Sequence, residues 1–476
     1  MSRWATVGIW LAVAAGLFFR GYHYARQPAV WHDEGALLAN VVKLDFASLT
    51  GPLYFHEAGP ILFLWVERAL FLAFGDDALV LRLPAFLAGC LSLPLLVVVA
   101  RRWMSDRATF WVVALFACSD ALAWHSCEAK PYSVDVFCTL VVFALYTRLD
   151  HLSLPWRCVI HAAVAPILLT LSYPACFVHG GLLLALLPAL ARERTRLAVL
   201  SYGLLVVAIG GTFLGVVLPI AQAQHDPVIH SDWTRFFPDW SRPLSVPGWF
   251  LVNTLEVMRY CCKPHGQLLV VPLMIGAVYW WKQRQGQRLT LCLAPLAIAL
   301  VAASLHRYPF GGMRVQIYAA PLLLLASGVG LDAVLRYGRG KVVWLPLGLS
   351  AYLFLITLLN SNWRVLSPWN RSDTYHSCGL VRESWRPGDV VFGNDWAHAF
   401  YLHTLGDTFR LGPPTKPLEA ARVWIVWTEL ADPGRRLNHL QAFVPPDWEQ
   451  GESWEFESTT VVRLRPRGIG RVVPND

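Results

Sequence analysis

Trp31-His32-Asp33-Glu34-Gly35 follows directly on the first apolar segment of the chain. Two adjacent carboxylates stand there beside an indole and an imidazole, next to a stretch that is apolar enough to enter a membrane. A carboxylate at the edge of a bilayer can act as a general base toward a hydroxyl group. The sequence therefore predicts Asp33 and Glu34 as catalytic residues. The structural alternative is that Asp33 caps the helix that the apolar run from Gly35 predicts.

The composition of the chain excludes an ordinary soluble domain. Of the 476 residues, 55% are hydrophobic and only 15% are charged, and the mean hydropathy is +0.44. Apolar segments of about 20 residues recur, as in proteins with many membrane-spanning helices. The net charge of +8 does not indicate nucleic-acid binding, because lysine and arginine fall in short clusters between apolar segments, as topology signals do. We therefore predict a multi-pass protein of the plasma (inner) membrane.

About eleven apolar segments are predicted to span the membrane. A further segment, Ile61–Phe74, carries Glu67 and Arg68 in its middle and is predicted to lie along the outer surface. With a cytoplasmic N-terminus, this arrangement places every basic cluster in the cytoplasm, as the positive-inside rule requires. The predicted spans are about Ala5–Phe19, Leu83–Val99, Thr109–Trp124, Tyr132–Tyr146, Val159–Tyr173, Phe177–Leu190, Leu197–Ile220, Leu268–Trp281, Leu289–Leu305, Ile317–Leu335 and Val342–Leu359.

The region after residue 360 differs from the rest of the chain. It is charged, rich in Trp and Pro, and contains strand-like runs at Asp389–Gly393, Arg422–Trp427 and Thr459–Leu464. Asn394 or Asp395 is suited to cap a helix that runs to about Leu405. We therefore predict two domains. An all-α membrane domain covers 1–360, with its first outer loop at 21–82, and a small extracytoplasmic α/β domain of about three strands covers 361–476.

Further polar residues on the predicted outer face are suited to a substrate that carries phosphate. Glu128-Ala129-Lys130-Pro131-Tyr132 places an acid and a base between two spans, although a snorkelling lysine before a helix-starting proline has the same pattern. Arg307 and Arg314 flank a flexible turn and are either interfacial anchors or phosphate contacts. The residues predicted to bind substrate are Trp31, His56, Glu57, Glu128, Lys130, Tyr132, Arg307, Tyr308 and Arg314.

The first outer loop also contains candidate ligands for a metal ion. Two neighbouring carboxylates can hold a divalent cation, and the pair His56-Glu57 is either a plain surface pair or a source of further ligands. The candidate metal ligands are Asp33, Glu34, His56 and Glu57.

Four stretches, in this order, resemble motifs of the GT-C membrane glycosyltransferases. The branch that they resemble contains the protein O-mannosyltransferases, the lipid A aminoarabinose transferases and the RgtA/B/C/D-like bacterial proteins. Arg386–Val391 is similar to the outer C-terminal domain of such proteins. The four stretches are Trp31-His32-Asp33-Glu34-Gly35, Gly75-Asp76-Asp77-Ala78-Leu79-Val80-Leu81-Arg82-Leu83-Pro84-Ala85, Ser126-Cys127-Glu128-Ala129-Lys130-Pro131-Tyr132-Ser133 and Tyr308-Pro309-Phe310-Gly311-Gly312-Met313-Arg314.

The resemblance implies a sugar donor linked to a polyprenyl phosphate, and transfer with inversion to a hydroxyl group of a lipid, glycan or protein. It also implies that Asp33 is the base and that a metal ion is optional. Two positions depart from the family's pattern. Lys130 stands where arginine is commoner, and Glu57-Ala58-Gly59-Pro60 lacks the lysine that meets lipid phosphate in the aminoarabinose transferases. The phosphate contact is therefore expected from His56, Lys130, Arg307 or Arg314.

A transporter or lipid flippase is the alternative class of function. Transporters have paired, broken helices and polar residues near the middle of the bilayer. In this chain the polar residues gather in outer loops and no internal repeat is visible, which favours the glycosyltransferase.

Overall fold

The computed structural model describes residues 3–26, 28–227, 233–340, 343–369, 371–414, 420–429 and 440–467. A π-helical turn, Phe213–Val217, joins the helices Arg196–Thr212 and Leu218–Ala223 into one long helix. The helices up to residue 366 are α1 Arg3–Ala25, α2 His32–Lys43, α3 Ile61–Phe74, α4 Ala78–Trp103, α5 Asp106–Cys118, α6 Asp120–His125, α7 Tyr132–Arg148, α8 Leu154–Leu171, α9 Ala175–Glu193, α10 Arg196–Thr212, α11 Leu218–Ala223, α12 Val246–Cys261, α13 Val270–Lys282, α14 Gly286–Ser304, α15 Ala320–Tyr337 and α16 Trp344–Leu366.

Eight helices among the described residues are long and apolar enough to cross a bilayer. A ninth is added if the bent pair Pro243–Cys261 and Gly266–Lys282 forms one span. The other predicted spans exist as shorter helices, since α5 has 13 residues and α7 has 17, whereas a full crossing takes about 20. The chain is therefore an integral membrane protein, and the difference from eleven spans lies in helix length rather than in position.

Helix α3 has the predicted bounds, and its 14 residues extend roughly 21 Å, too short for a hydrocarbon core of about 30 Å. Arg68 on this helix donates hydrogen bonds to the carbonyl oxygens of Val41 (2.8 Å) and Val42 (3.0 Å) at the end of α2. Helix α3 is thus clamped to the helix that carries Asp33 and Glu34, and its orientation along the membrane surface stays a prediction.

The C-terminal region forms a five-stranded sheet with two helices. The elements are α17 Thr374–Ser384, β1 Asp389–Gly393, α18 Trp396–Tyr401, β2 Phe409–Leu411, β3 Arg422–Thr428, β4 Trp448–Phe456 and β5 Thr459–Pro466. The strand order is β2-β1-β3-β5-β4, with β1 parallel to β2 and β3, and β5 antiparallel to β3 and β4. The three predicted strands are β1, β3 and β5; β2 was missed because it has three residues, and β4 because it is mostly polar and exposed.

Helix α18 docks this sheet onto the first outer loop. Asp395 caps α18, as predicted, by accepting a hydrogen bond from the Ala397 N–H at 2.8 Å. A Cβ atom on Gly35 would lie 2.4 Å from the Cα of Ala397, so a glycine is required for α2 and α18 to approach this closely. The Val30 N–H also donates to the Tyr401 hydroxyl at 2.8 Å. The C-terminal domain therefore sits directly on the stretch that contains the two predicted catalytic acids.

Candidate active site

A cavity of about 760 Å³ opens beside the start of α2. Its polar wall comes from the loops at this end of the membrane helices. Part of its apolar wall comes from the long helix formed by α10 and α11, with Phe213, Val217, Leu218 and Ala221. Three predicted site residues, Trp31, Glu34 and Glu128, do not line the cavity. The predicted site residues that do line it are Asp33, His56, Glu57, Lys130, Tyr132, Arg307, Tyr308 and Arg314.

Asp33 lies in the first turn of α2, and the N-cap residue is Trp31. Asp33 therefore does not occupy the capping position of the structural alternative. Its carboxylate forms an ion pair with Arg314, and 15% of the Asp33 side chain stays exposed, which lets it reach a bound molecule. The guanidinium of Arg314 lies 5.8 Å from the ring centroid of Trp31 and 6.0 Å from that of Tyr132. These two rings hold the cation of the pair in place.

Glu57 and Lys130 form a second charge pair in the cavity wall, with 2.7 Å between Lys130 Nζ and Glu57 Oε1. Burial raises the pKa of the Glu57 carboxyl, and the Lys130 ammonium only partly offsets this effect. Lys130 comes from the loop before α7, whereas Glu57 comes from the first outer loop. Tertiary packing thus supplies a lysine to the Glu57-Ala58-Gly59-Pro60 motif, which lacks one in its own sequence.

Glu34 is fully buried and does not line the cavity. Arg82 grips its carboxylate with two hydrogen bonds, from Nε at 2.6 Å and from Nη2 at 2.7 Å. Arg371 of the C-terminal region donates a third at 3.2 Å, and the Ala129 N–H a fourth at 2.8 Å. A buried carboxylate needs such partners because desolvation of a charge is costly. This geometry does not fit the predicted catalytic role of Glu34, because its carboxylate does not reach the cavity.

Glu128 is enclosed in a similar way. Its carboxylate lies 2.5 Å from His125 Nδ1 and accepts a hydrogen bond from the Trp31 indole at 2.9 Å. Burial alone would raise the pKa of this carboxyl, but the charges of His125 and Arg371 outweigh burial and lower the pKa to about 2. Glu128 therefore orients the indole over which Arg314 lies, and does not itself reach the cavity.

The mouth of the cavity carries further polar groups. His56 Nδ1 lies 2.7 Å from the carboxylate of Asp226. The backbone of Phe55 and His56 is left-handed, with φ of 64° and 54°, so the loop turns sharply there. Tyr308 donates its hydroxyl proton to the Val315 carbonyl at 2.9 Å. Arg307 is exposed, and the described residues provide no ion-pair partner for it.

The predicted metal ligands do not form a metal site. Asp33 pairs with Arg314, Glu34 with two arginines, Glu57 with Lys130, and His56 with Asp226. Within the described part of the chain, no group of three or more His, Cys, Asp or Glu side chains is arranged to hold a metal ion. The donor set, with each candidate ligand paired to another side chain, therefore does not fit a divalent ion.

Trp396 and Gln224 are among the lining residues that were not predicted from the sequence as site residues. Trp396 of α18 stacks on His32, with 3.8 Å between ring centroids and an angle of 20° between the planes. His32 Nδ1 in turn lies 3.1 Å from the carboxylate of Asp395. Gln224 accepts hydrogen bonds from the Gly59 N–H at 3.0 Å and from the Tyr173 hydroxyl at 2.8 Å. Neither Trp396 nor Gln224 stands in a motif, so only packing reveals them.

Sequence comparison finds no matching family model and no matching curated protein. Comparison of structures finds ArnT from Cupriavidus metallidurans in the apo state, with a TM-score of 0.56 and 14% identity over 96% of this chain and 98% of that chain. For the same protein bound to undecaprenyl phosphate, the TM-score is 0.53 and the identity is 13%, over 97% of this chain and 98% of that chain. For the Archaeoglobus fulgidus oligosaccharyltransferase in complex with Zn and sulfate, the TM-score is 0.51 and the identity is 13%, over 84% of this chain and 62% of that chain.

ArnT and the archaeal oligosaccharyltransferase are GT-C superfamily glycosyltransferases. The likeness to ArnT covers the membrane helices and the C-terminal sheet domain together. The chain therefore has the GT-C fold, and the predicted fold class is confirmed. This chain spans less than two thirds of the archaeal enzyme.

Proposed function

We propose that this protein is an integral membrane glycosyltransferase. It moves a sugar from a polyprenyl-phosphate-linked donor to a hydroxyl group on the outer face of the membrane, with inversion at the anomeric carbon. The observation that carries the proposal is the cavity, which joins an apolar wall to the Asp33 carboxylate and the cations Lys130 and Arg314. The fold supports it, because ArnT, with the same fold, has been solved with undecaprenyl phosphate bound.

The walls of the cavity match the two parts of such a donor. The apolar side chains on the long helix formed by α10 and α11 suit an isoprenoid chain, and Lys130 and Arg314 suit the phosphate, with Arg307 at the mouth. Negative charge grows on the phosphate as it leaves the sugar. Cations that are already in place stabilise this charge in the transition state without reorganisation.

Asp33 acts as the general base in this scheme. The acceptor hydroxyl gives its proton to the Asp33 carboxylate, and its oxygen forms a bond to the anomeric carbon. The bond between that carbon and the phosphate oxygen breaks, and polyprenyl phosphate leaves with the electron pair. A single displacement of this kind inverts the configuration and needs one base and no covalent enzyme intermediate.

Purified protein in nanodiscs tests the proposal. A panel of undecaprenyl-phosphate-linked sugars is added together with total envelope lipids and glycans as acceptors, and released undecaprenyl phosphate is measured by mass spectrometry. We expect release from at least one donor by the wild-type protein and only background release by Asp33→Asn. Equal release by the two proteins from every donor would contradict the proposal.

A further inference from the structure

A second cavity, of about 520 Å³, lies at the other end of the membrane helices. It is formed by the start of α1, the end of α4, the start of α5 and the end of α15. Helix α4 extends from the region of the candidate active site to the second cavity. Arg82 near its start binds Glu34 beside the candidate active site, and Arg101 near its end lines the second cavity, roughly 29 Å further along the helix axis. The second cavity is therefore a separate feature of the molecule.

Arginine dominates the polar lining of this cavity. Arg101 has its Nε and Nη2 atoms buried without a hydrogen-bond partner. The Asp106 carboxylate lies 3.8 Å from that Nε, which makes an ion pair but is too far for a hydrogen bond. Arg336 forms an ion pair with Asp332, with 2.9 Å between Nε and the carboxylate oxygen. Arg107 is exposed and has no ion-pair partner among the described residues. The cavity thus combines positive charge with donors that lack an acceptor.

Apart from Ser105, the remaining lining is apolar and continues toward the lipid. Ala5, Met104 and Leu335 complete the wall, and α1 next to it exposes Trp4 and Val7 on its surface. A ligand that fits both parts has an anionic head and an apolar body. Phosphate oxygens accept two parallel hydrogen bonds from a guanidinium, and basic pockets between membrane helices suit anionic lipid headgroups.

We propose that this cavity binds the phosphodiester headgroup of an anionic phospholipid. Arg101 and Arg107 donate to the phosphate oxygens, and Met104 and Leu335 contact the glycerol end of the acyl chains. The bound lipid supplies the acceptors that Arg101 lacks in the protein alone. This site is independent of the proposed glycosyl transfer, because no residue of the outer cavity takes part in it.

Native mass spectrometry of the purified full chain tests the proposal, with phosphatidylglycerol as the probe and phosphatidylcholine as the reference lipid. We expect retained phosphatidylglycerol and a higher melting temperature with it than with phosphatidylcholine. The double variant Arg101→Gln, Arg107→Gln should bind phosphatidylglycerol at least tenfold more weakly. The matched control Arg192→Gln, Arg194→Gln removes the same charge from exposed positions outside the cavity and should bind as the wild type does.

Three outcomes would overturn the proposal. They are wild-type affinity in the Arg101→Gln, Arg107→Gln variant, an equal loss in the control variant, and an equal rise in melting temperature with inorganic phosphate, which would indicate a plain anion site. If the double variant fails to fold, Arg107→Gln alone carries the test, since this side chain is exposed. That single variant should bind phosphatidylglycerol several-fold more weakly than the wild type, and unchanged binding would overturn the proposal.

Discussion

Asp33 and Glu34 are neighbours in the sequence, yet they serve two different regions of the molecule. Asp33 faces the outer cavity and pairs with Arg314, whereas Glu34 is fully buried between Arg82 and Arg371. A helix turns about 100° per residue, so consecutive side chains point in different directions. One acid is therefore open to the cavity, and the other ties α2 to α4 and to the C-terminal domain. The two neighbours thus lie in different environments, one at the cavity wall and one in the packed interior.

Asp33→Asn should have the largest effect on activity. Loss of a general base typically costs about 10²–10⁴ in rate, while the amide keeps the shape of the side chain and its place beside Arg314. We expect transfer to collapse and the melting temperature and undecaprenyl phosphate binding to stay close to those of the wild type. Transfer assays on matched amounts of folded protein check this. Near-normal transfer by the variant would show that another acid is the base, and Glu57 is the next candidate in the cavity.

Glu34→Gln should act on stability rather than on chemistry. Removal of one partner from a buried ion pair costs about 3–5 kcal/mol, because the remaining charge stays buried without compensation. We expect a lower free energy of unfolding and a lower yield, with transfer per folded molecule largely kept. Thermal unfolding in detergent and activity per folded molecule are the two measurements.

Glu67→Gln is the matched control for that experiment. Glu67 is also buried beside α2, but neither of its carboxylate oxygens has a hydrogen-bond partner. Burial, with a smaller effect from the charge of Glu34, raises the pKa of this carboxyl well above its usual range. A neutral amide should therefore replace it with a much smaller loss of stability. Equal losses in the two variants would show that burial, and not the arginine pairing of Glu34, decides the effect.

Glu128→Gln should make stability depend less on pH. The pKa of Glu128 is about 2 in the folded protein and about 4.3 in an unfolded chain. Its ionised form therefore stabilises the fold above about pH 4.3, and this contribution disappears as the pH falls toward 2. The variant should be less stable than the wild type at pH 7, and the gap should narrow between about pH 5 and pH 2. A gap that stays constant over this range in thermal unfolding would contradict the role of the charge.

Trp396→Ala should have the smallest effect, on substrate affinity. Its indole stacks on His32, directly before Asp33, and brings the C-terminal domain into the cavity. An aromatic contact contributes about 0.5–1.5 kcal/mol beyond its buried area. We expect KM for the acceptor to rise up to about tenfold, with kcat and donor KM little changed. Trp396→Phe keeps a ring and should restore most of the affinity, and an unchanged acceptor KM in Trp396→Ala would exclude Trp396 from the acceptor site.

Much of the architecture could be predicted from short stretches of sequence. The helix Ile61–Phe74, the strands β1, β3 and β5, and the cap at Asp395 all agree with the structure. Hydrophobic periodicity, turn residues and caps are properties of a few neighbouring residues, so they can be recognised without a fold. Most of the predicted site residues also line one cavity, because they lie in or next to loops that meet at the same end of the membrane helices.

Composition and local patterns are enough to predict that this chain is a membrane protein, which segments become its helices, and that polar residues concentrate at the ends of those helices. Which acid meets which cation depends on the tertiary structure. Glu34 binds Arg371, which lies 337 positions away, and Lys130 meets Glu57 across 73 positions. Such pairs depend on how α2, the loop before α7 and the C-terminal domain pack together. Local patterns carry no information about that packing, and for this reason Glu34 was predicted as catalytic and Trp396 was not predicted at all.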